Sequence, residues 1–198
     1  MISVYQLKPK FQQLLLPVLN LLHQCQMTAN KITIAAMIWS AALGLLLFMS
    51  PNHPIYLVVV AFGLLVRMAL NALDGMMARM YAQQSKLGEI LNEMGDVISD
   101  SIIFCGLFSQ PQVNQSFVWL FVVLSIISEF SGVLSKVISG TRRYDGPMGK
   151  SDRALVIGLW CVMVFLFPSM IILLNATLII GSVLMVMSSY KRLSNSLK

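Results

Sequence analysis

The sequence predicts an all-α integral membrane protein, with six transmembrane helices preceded by an amphipathic interfacial helix. Three observations lead there. Only 11% of the 198 residues are charged and 57% are hydrophobic, whereas a soluble domain is about a quarter charged. Six apolar stretches, at 32–49, 55–80, 86–109, 116–138, 153–167 and 169–189, reach or nearly reach the length needed to cross about 30 Å of hydrocarbon. Lys and Arg fall on one side of these stretches, and the links at 50–54, 110–115 and around Pro168 contain neither. That asymmetry predicts a cytoplasmic location for both termini and for the charged links. The net charge of +6 then expresses topology and attraction to anionic lipid. No basic run is interleaved with aromatics, so nucleic acid is not an expected partner.

Residues 1–27 mix Leu14, Leu15, Leu16, Val18, Leu19, Leu21 and Leu22 with Lys8, Lys10, Gln12, Gln13 and Asn20. This pattern predicts an amphipathic helix over 3–26 lying on the cytoplasmic surface, kinked at Pro17, with a loosely ordered leader as the alternative. Thr28 and Asn30 supply cap residues for the first span. The second and third spans carry acids and amides, discussed below. In the fourth span Ser125, Ser128, Ser131, Gly132 and Ser135 predict close helix packing rather than ligand binding. The fifth is short and ends at Pro168, and Ser151 or Asp152 is its expected cap. Cys25, Cys105 and Cys161 lack CxxC spacing and read as packed thiols. His23 and His53 are isolated. Residues 1–198 thus read as one membrane domain, with 28–190 forming the six-helix bundle, and the small residues of the later spans permit a homodimer.

The chemistry lies between Asn71 and Asp100. A carboxylate facing lipid costs several kcal/mol, so acids within spans face a bundle interior or water. At roughly 100° per residue, Arg67, Asn71, Asp74, Gly75 and Ala78 share one side of the second span, opposite Leu73, Met76 and Met77. On the third, Gly88, Glu89, Asn92, Asp96, Ser99 and Asp100 converge, with Ile90, Met94, Val97 and Ile98 behind them. Two half-polar faces meeting predict a buried polar pocket. Arg142, Arg143, Lys150 and Arg153 cluster around Gly146, Pro147 and Gly149, a loop that reads either as a phosphate receptor or as an ordinary positive-inside link. Arg67 and Glu129 also lie within spans. An ion pair between them, or between Arg67 and Asp100, is the simpler expectation; a direct role near a substrate is the sharper one.

The stretch 71–96 resembles the signature of the CDP-alcohol phosphotransferases, D-x2-D-G-x2-A-R-x8-G-x3-D-x3-D. Asp74, Gly75, Ala78, Arg79, Gly88 and Asp96 match in identity and spacing. Six such matches arise by chance at on the order of 10⁻⁷ per window, so the resemblance is specific. Ala29-Asn30-Lys31-Ile32-Thr33 is similar to the P-N-x-x-T that precedes the family's first span. Asn71 and Asn92 stand where the family has aspartates.

The resemblance implies a phospholipid-synthesising transferase that moves a phosphatidyl group from CDP-diacylglycerol to an alcohol or alcohol phosphate, of the glycerol 3-phosphate or inositol phosphate type, releasing CMP. It implies one or two Mg²⁺ or Mn²⁺ ions held by Asn71, Asp74, Asn92 and Asp96. Asp96 is the implied base. Asn71, Asp74, Gly75, Ala78, Arg79 and Gly88 are implied around the CDP donor, and Arg143, Lys150 and Arg153 around an acceptor phosphate. An Asn carbonyl ligates Mg²⁺ without bringing charge, which leaves two weak ions, one ion, or recruitment of Glu89, Glu93 or Asp100. The implied location is a bacterial inner membrane with the active site facing the cytoplasm. The alternative is a non-catalytic lipid- or nucleotide-binding membrane protein that retains the pocket. A transporter fits less well, because no pair of interrupted helices lies at mid-membrane.

Overall fold

Seven α-helices organise the chain in the computed structural model, which describes residues 8–198. They are α1 (Lys8–Gln24), α2 (Ala29–Met49), α3 (Ile55–Met80), α4 (Lys86–Cys105), α5 (Gln115–Ser139), α6 (Lys150–Leu166) and α7 (Leu173–Ser196), with 3-10 turns at Gly106–Ser109 and Pro168–Ile172. No strand occurs among the described residues. The expected first helix over 3–26 is found from Lys8 to Gln24, and its first residues lie outside the described part. By length and composition, four segments can cross a membrane: Ala29–Met49, Ile55–Met80, Gln115–Ser139 and Pro168–Ser196. The remaining two expected spans differ for visible reasons. The α4 helix carries Glu89, Glu93, Asp96 and Asp100, and α6 has only 17 residues.

Local chemistry sets the boundaries. The Thr28 side chain accepts from Lys31 N at the start of α2, as expected, and Ser85 accepts from Gly88 N at the start of α4. At α6 the expectation needs correction. The helix starts at Lys150, with Gly149 as its cap, and the Asp152 carboxylate accepts from Gly149 N at 2.9 Å. Asp152 therefore caps from inside the first turn, where a carboxylate also suits the helix dipole.

One apolar core joins the spans: Leu43 and Leu47 of α2, Leu64 of α3, Phe104 of α4, Phe121 of α5 and Trp160 of α6 are buried together. Phe104 and Phe121 meet edge-to-face with ring centroids 4.9 Å apart. The α2 helix packs on α3 and α4, α3 on α6, and α5 on α7. A Cβ on Gly88 would lie 2.8 Å from Asn30 Oδ1, and one on Gly106 would lie 2.6 Å from the Gly44 carbonyl. The α4 helix thus runs alongside α2 for most of its length. Large apolar side chains such as Ile38, Phe62, Phe130 and Val137 point outward, as lipid-facing surfaces require. In α1, Leu15 and Leu19 are buried against Leu73, Met76 and Met77, while the equally apolar Leu14, Val18 and Leu21 are exposed.

The small residues of α5 serve packing. Ser128, Ser131, Gly132 and Ser135 are buried, and Arg192 of α7 donates to the Ser128 carbonyl and hydroxyl. Of the three thiols, Cys161 is buried and Cys105 half-buried, but Cys25 is exposed and not packed as expected. His23 stacks on Tyr81 at 3.6 Å.

The link 140–149 presses onto α7 at Gly146, whose φ of 113° and whose Cβ position 2.4 Å from Ser188 Oγ both exclude a side chain. Gly146→Ala is expected to destabilise the protein by on the order of 1–3 kcal/mol, read as a lower Tm in detergent.

Candidate active site

The polar faces of α3 and α4 meet at the bundle end that also holds the start of α2, the start of α6 and the end of α7. A cavity of about 1050 Å³ opens there. Asn71, Asp74, Gly75, Ala78 and Arg79 of α3, Gly88 and Asn92 of α4, and Lys150 of α6 line it. Eight of the sequence-predicted site residues are thus brought to one wall. Asp96, Arg143 and Arg153 do not line it.

The α3 side is built on Asp74, which is 4% exposed. Its Oδ2 accepts from Thr33 Oγ1 at 2.9 Å and its Oδ1 from its neighbour Gly75 N at 2.6 Å. Thr33 belongs to the Ala29–Thr33 motif, whose function the sequence did not assign; the structure makes it the orienting partner of Asp74. The same motif anchors the link between α3 and α4, since Ala29 N donates to Gln83 Oε1 at 2.8 Å. A Cβ on Gly75 would meet only the Arg79 guanidinium, at 3.3 Å. Nothing in the protein's own packing demands glycine at 75, and its bare side faces the cavity. Gly88 differs, because Asn30 closes on it.

Asp96 lies just behind the wall. Its Oδ1 accepts from Asn71 Nδ2 at 3.1 Å, and its Oδ2 is in contact with Lys150 Nζ. Asn71 turns its amide nitrogen to this carboxylate, which leaves its amide oxygen without a part in that contact.

Glu89, Glu93 and Asp100, the possible replacement ligands, are all paired. Glu89 contacts Lys136 at the surface, where an ion pair contributes little. Glu93 contacts Arg142. Asp100 lies 2.6 Å from Arg67 Nη2 and 2.7 Å from Arg153 Nη2. Arg67 and Asp100 therefore make the expected ion pair, by charge contact rather than by an aligned hydrogen bond. Glu129 pairs elsewhere: its Oε1 accepts from Arg153 and its Oε2 from Arg142, both at 2.7 Å.

Arg142, left out of the acceptor set that the resemblance implies, is thereby a structural cation. It stacks over Tyr144 at 4.9 Å. Burial alone would lower its pKa, but Tyr144, Glu93 and Glu129 outweigh this and hold it above the usual range. Arg143 is 34% exposed and only 3.7 Å from Asp145.

The oxygen donors Asp74, Asp96, Asn71 and Asn92 are of the kind that Mg²⁺ or Mn²⁺ takes. Two carboxylates, one already facing Lys150, match the charge of one divalent ion and fall short of two. Among the described residues no group of three or more His, Cys, Asp or Glu forms a metal cluster. The donor set is of a kind that fits a divalent ion.

The sequence matches the family model described as CDP-alcohol phosphatidyltransferase over residues 26–188. It is 44% identical over 190 residues to "Inner membrane protein YnbA" of Escherichia coli (strain K12), covering 96% of this chain and 94% of that protein. The fold is similar to crystal structures of phosphatidylinositol phosphate synthase (PgsA1) from Mycobacterium tuberculosis. The form in complex with manganese and citrate aligns with a TM-score of 0.74 at 21% identity, covering 92% of this chain and 88% of that one. The form with CDP-DAG bound aligns with a TM-score of 0.73 at 23% identity, covering 91% and 92%. At those identities the likeness is one of fold.

Arg67→Met should destabilise by about 3–5 kcal/mol, because Asp100 stays buried with part of its compensation gone. The exchange Arg67→Asp with Asp100→Arg should not restore stability, since the new arginine would face Arg153. Thermal unfolding in detergent measures both.

Proposed function

We infer the function from one premise: this chain belongs to the CDP-alcohol phosphatidyltransferase family. It is an integral membrane transferase of that kind. In the finer reading it moves a phosphatidyl group from CDP-diacylglycerol to a small alcohol or alcohol phosphate and releases CMP. The observation that carries this is the cavity wall on which the signature positions 71, 74, 75, 78, 79, 88 and 92 gather, with Asp96 directly behind.

The donor's diphosphate would lie against Asn71, Asp74 and Gly75. Arg79 stands at the rim, exposed, with a forked guanidinium suited to phosphate. Ala78 and the bare face of Gly75 leave room for the nucleotide, and Gly88 lets α4 close on Asn30. Asp74, Asp96 and the amide oxygens of Asn71 and Asn92 would hold one Mg²⁺ or Mn²⁺. A bound divalent ion would screen the diphosphate and stabilise the leaving CMP.

Asp96 is the proposed base, oriented by Asn71 and Lys150. The acceptor hydroxyl oxygen bonds to the phosphorus that carries diacylglycerol, and the bond from that phosphorus to the bridging oxygen breaks. CMP departs, and the hydroxyl proton passes to Asp96. Arg143, Lys150 and Arg153 are assigned to the acceptor side, and of the three Lys150 lines the cavity.

The whole chain is read as one domain of six crossings in a bacterial inner membrane, with α1 at the interface. The α4 helix follows α2 over its length, and α6 follows α3, where a Cβ on Gly158 would lie 3.8 Å from the Ala61 carbonyl. Each packs one side on a neighbour and turns apolar side chains outward, Ile90, Met94 and Ile98 on α4 and Leu159, Met163 and Leu166 on α6, as a lipid-facing surface requires. Both termini and the cavity are assigned to the cytoplasmic side, where Lys and Arg concentrate.

Asp96→Asn should lower CMP release from CDP-diacylglycerol by on the order of 10²-fold or more while the protein remains folded; unchanged turnover removes Asp96 as the base. Manganese-grown crystals with the donor lipid should show a single anomalous peak beside Asp74 and Asp96. Two peaks would refute the one-ion site, and none would refute metal binding there.

A further inference from the structure

The buried arginines around the acceptor side are already paired. Arg153 is fully buried, and its guanidinium is satisfied from within: Nε and Nη2 donate to Asp100 Oδ2 at 3.1 and 2.7 Å, Nη2 also to Glu129 Oε1, and Nη1 to the Met148 carbonyl. Arg142 gives one arm to Glu129 and the other to Glu93. Lys150 rests on Asp96, and Arg67 on Asp100. Four cations thus face four carboxylates. Arg192 donates to the carbonyls of Asp145 and Ser128, tying the 140–149 link and α5 to α7.

Glu129 decides the matter. It is 4% exposed and it lines the cavity, whereas Arg153 does not. Its two oxygens bridge Arg142 and Arg153 in the fork geometry by which paired guanidinium groups take a phosphate. A phosphate monoester entering there would have to displace a buried carboxylate and leave it without compensation, which a low-dielectric site strongly opposes. Beside it Arg67 lines the cavity, and its Nε has no acceptor among the described residues. A donor next to a neutralised pair of guanidinium groups suits a hydroxyl oxygen.

We propose that Glu129 occupies the acceptor's anion subsite from inside the protein, so that the acceptor is an uncharged hydroxylated compound and not an alcohol phosphate. This narrows the transferase reading and rests on it for the reaction. The occupied subsite rests on geometry alone.

Two measurements separate them. Purified full-length protein with CDP-diacylglycerol and Mg²⁺ is assayed for CMP release with glycerol against glycerol 3-phosphate, and with inositol against inositol phosphate. The wild type is expected to favour the unphosphorylated member of the productive pair by ~10-fold or more in kcat/KM. Glu129→Gln, which frees Arg142 and Arg153, is expected to shift that ratio toward the phosphorylated member by on the order of 10-fold or more.

In parallel, with CMP and Mg²⁺ saturating so that the donor's phosphate site is filled, inorganic phosphate at about 10 mM is titrated against Tm, since a ligand of the folded state raises it. Wild type should not respond, and E129Q should. A wild-type Tm that rises with phosphate, or wild-type preference for the phosphorylated acceptor, overturns the proposal. Should no acceptor yield CMP, the transferase reading fails, and the phosphate titration still judges the subsite. Should E129Q not fold, the wild-type titration decides alone.

Discussion

A ring of charge pairs, closed through the backbone of α4, holds one end of this protein together. Arg67 of α3 meets Asp100 of α4, which meets Arg153 of α6, which meets Glu129 of α5, which meets Arg142 of the following link, which returns to Glu93 of α4. Four helices and a loop are joined by six side chains. In a hydrocarbon setting each would cost several kcal/mol if left alone. The ring therefore acts less through the strength of any pair than through the penalty for opening one. Apolar packing at the opposite end, around Leu47, Phe104 and Trp160, tolerates sliding and repacking. The ring does not, because its directions are set by forked donors and paired oxygens.

That constraint places the chemistry. With α3, α4 and α6 registered by Arg67, Asp100 and Arg153, the residues one to two turns away fall into position: Asn71 and Asp74 on α3, Asn92 and Asp96 on α4, Lys150 at the start of α6. Thr33 completes the arrangement by orienting Asp74 from α2. The same ring uses up the positive charge that a basic loop advertises in sequence. Arg67, Arg142 and Arg153 thereby become parts of a neutral support.

Much of this was legible beforehand. Helical periodicity put Asn71, Asp74 and Gly75 on one face and Asn92, Asp96 and Asp100 on another, and both faces do meet. The spacing of Asp74, Gly75, Ala78, Arg79, Gly88 and Asp96 carried the family, because a motif is a covalent fact. The first helix and the small-residue face of α5 also followed from pattern. Less legible were helix ends: α6 begins a turn early because Asp152 reaches back to Gly149 N, a choice between two adequate caps that pattern alone does not make.

Pairing was the least legible. Sequence offered Arg67 two acidic partners and offered Glu129, Asp100, Arg142 and Arg153 no order at all, for ion pairs between helices depend on axial offset and rotation at each contact. A stretch of residues determines which side chains share a face, since that depends on 3.6 residues per turn. Which cation ends against which carboxylate, and so whether Arg153 is a free receptor or a buried strut, depends on how four helices settle against one another. That was decided only when the chain packed, because charge compensation in a low-dielectric interior is a property of neighbours in space.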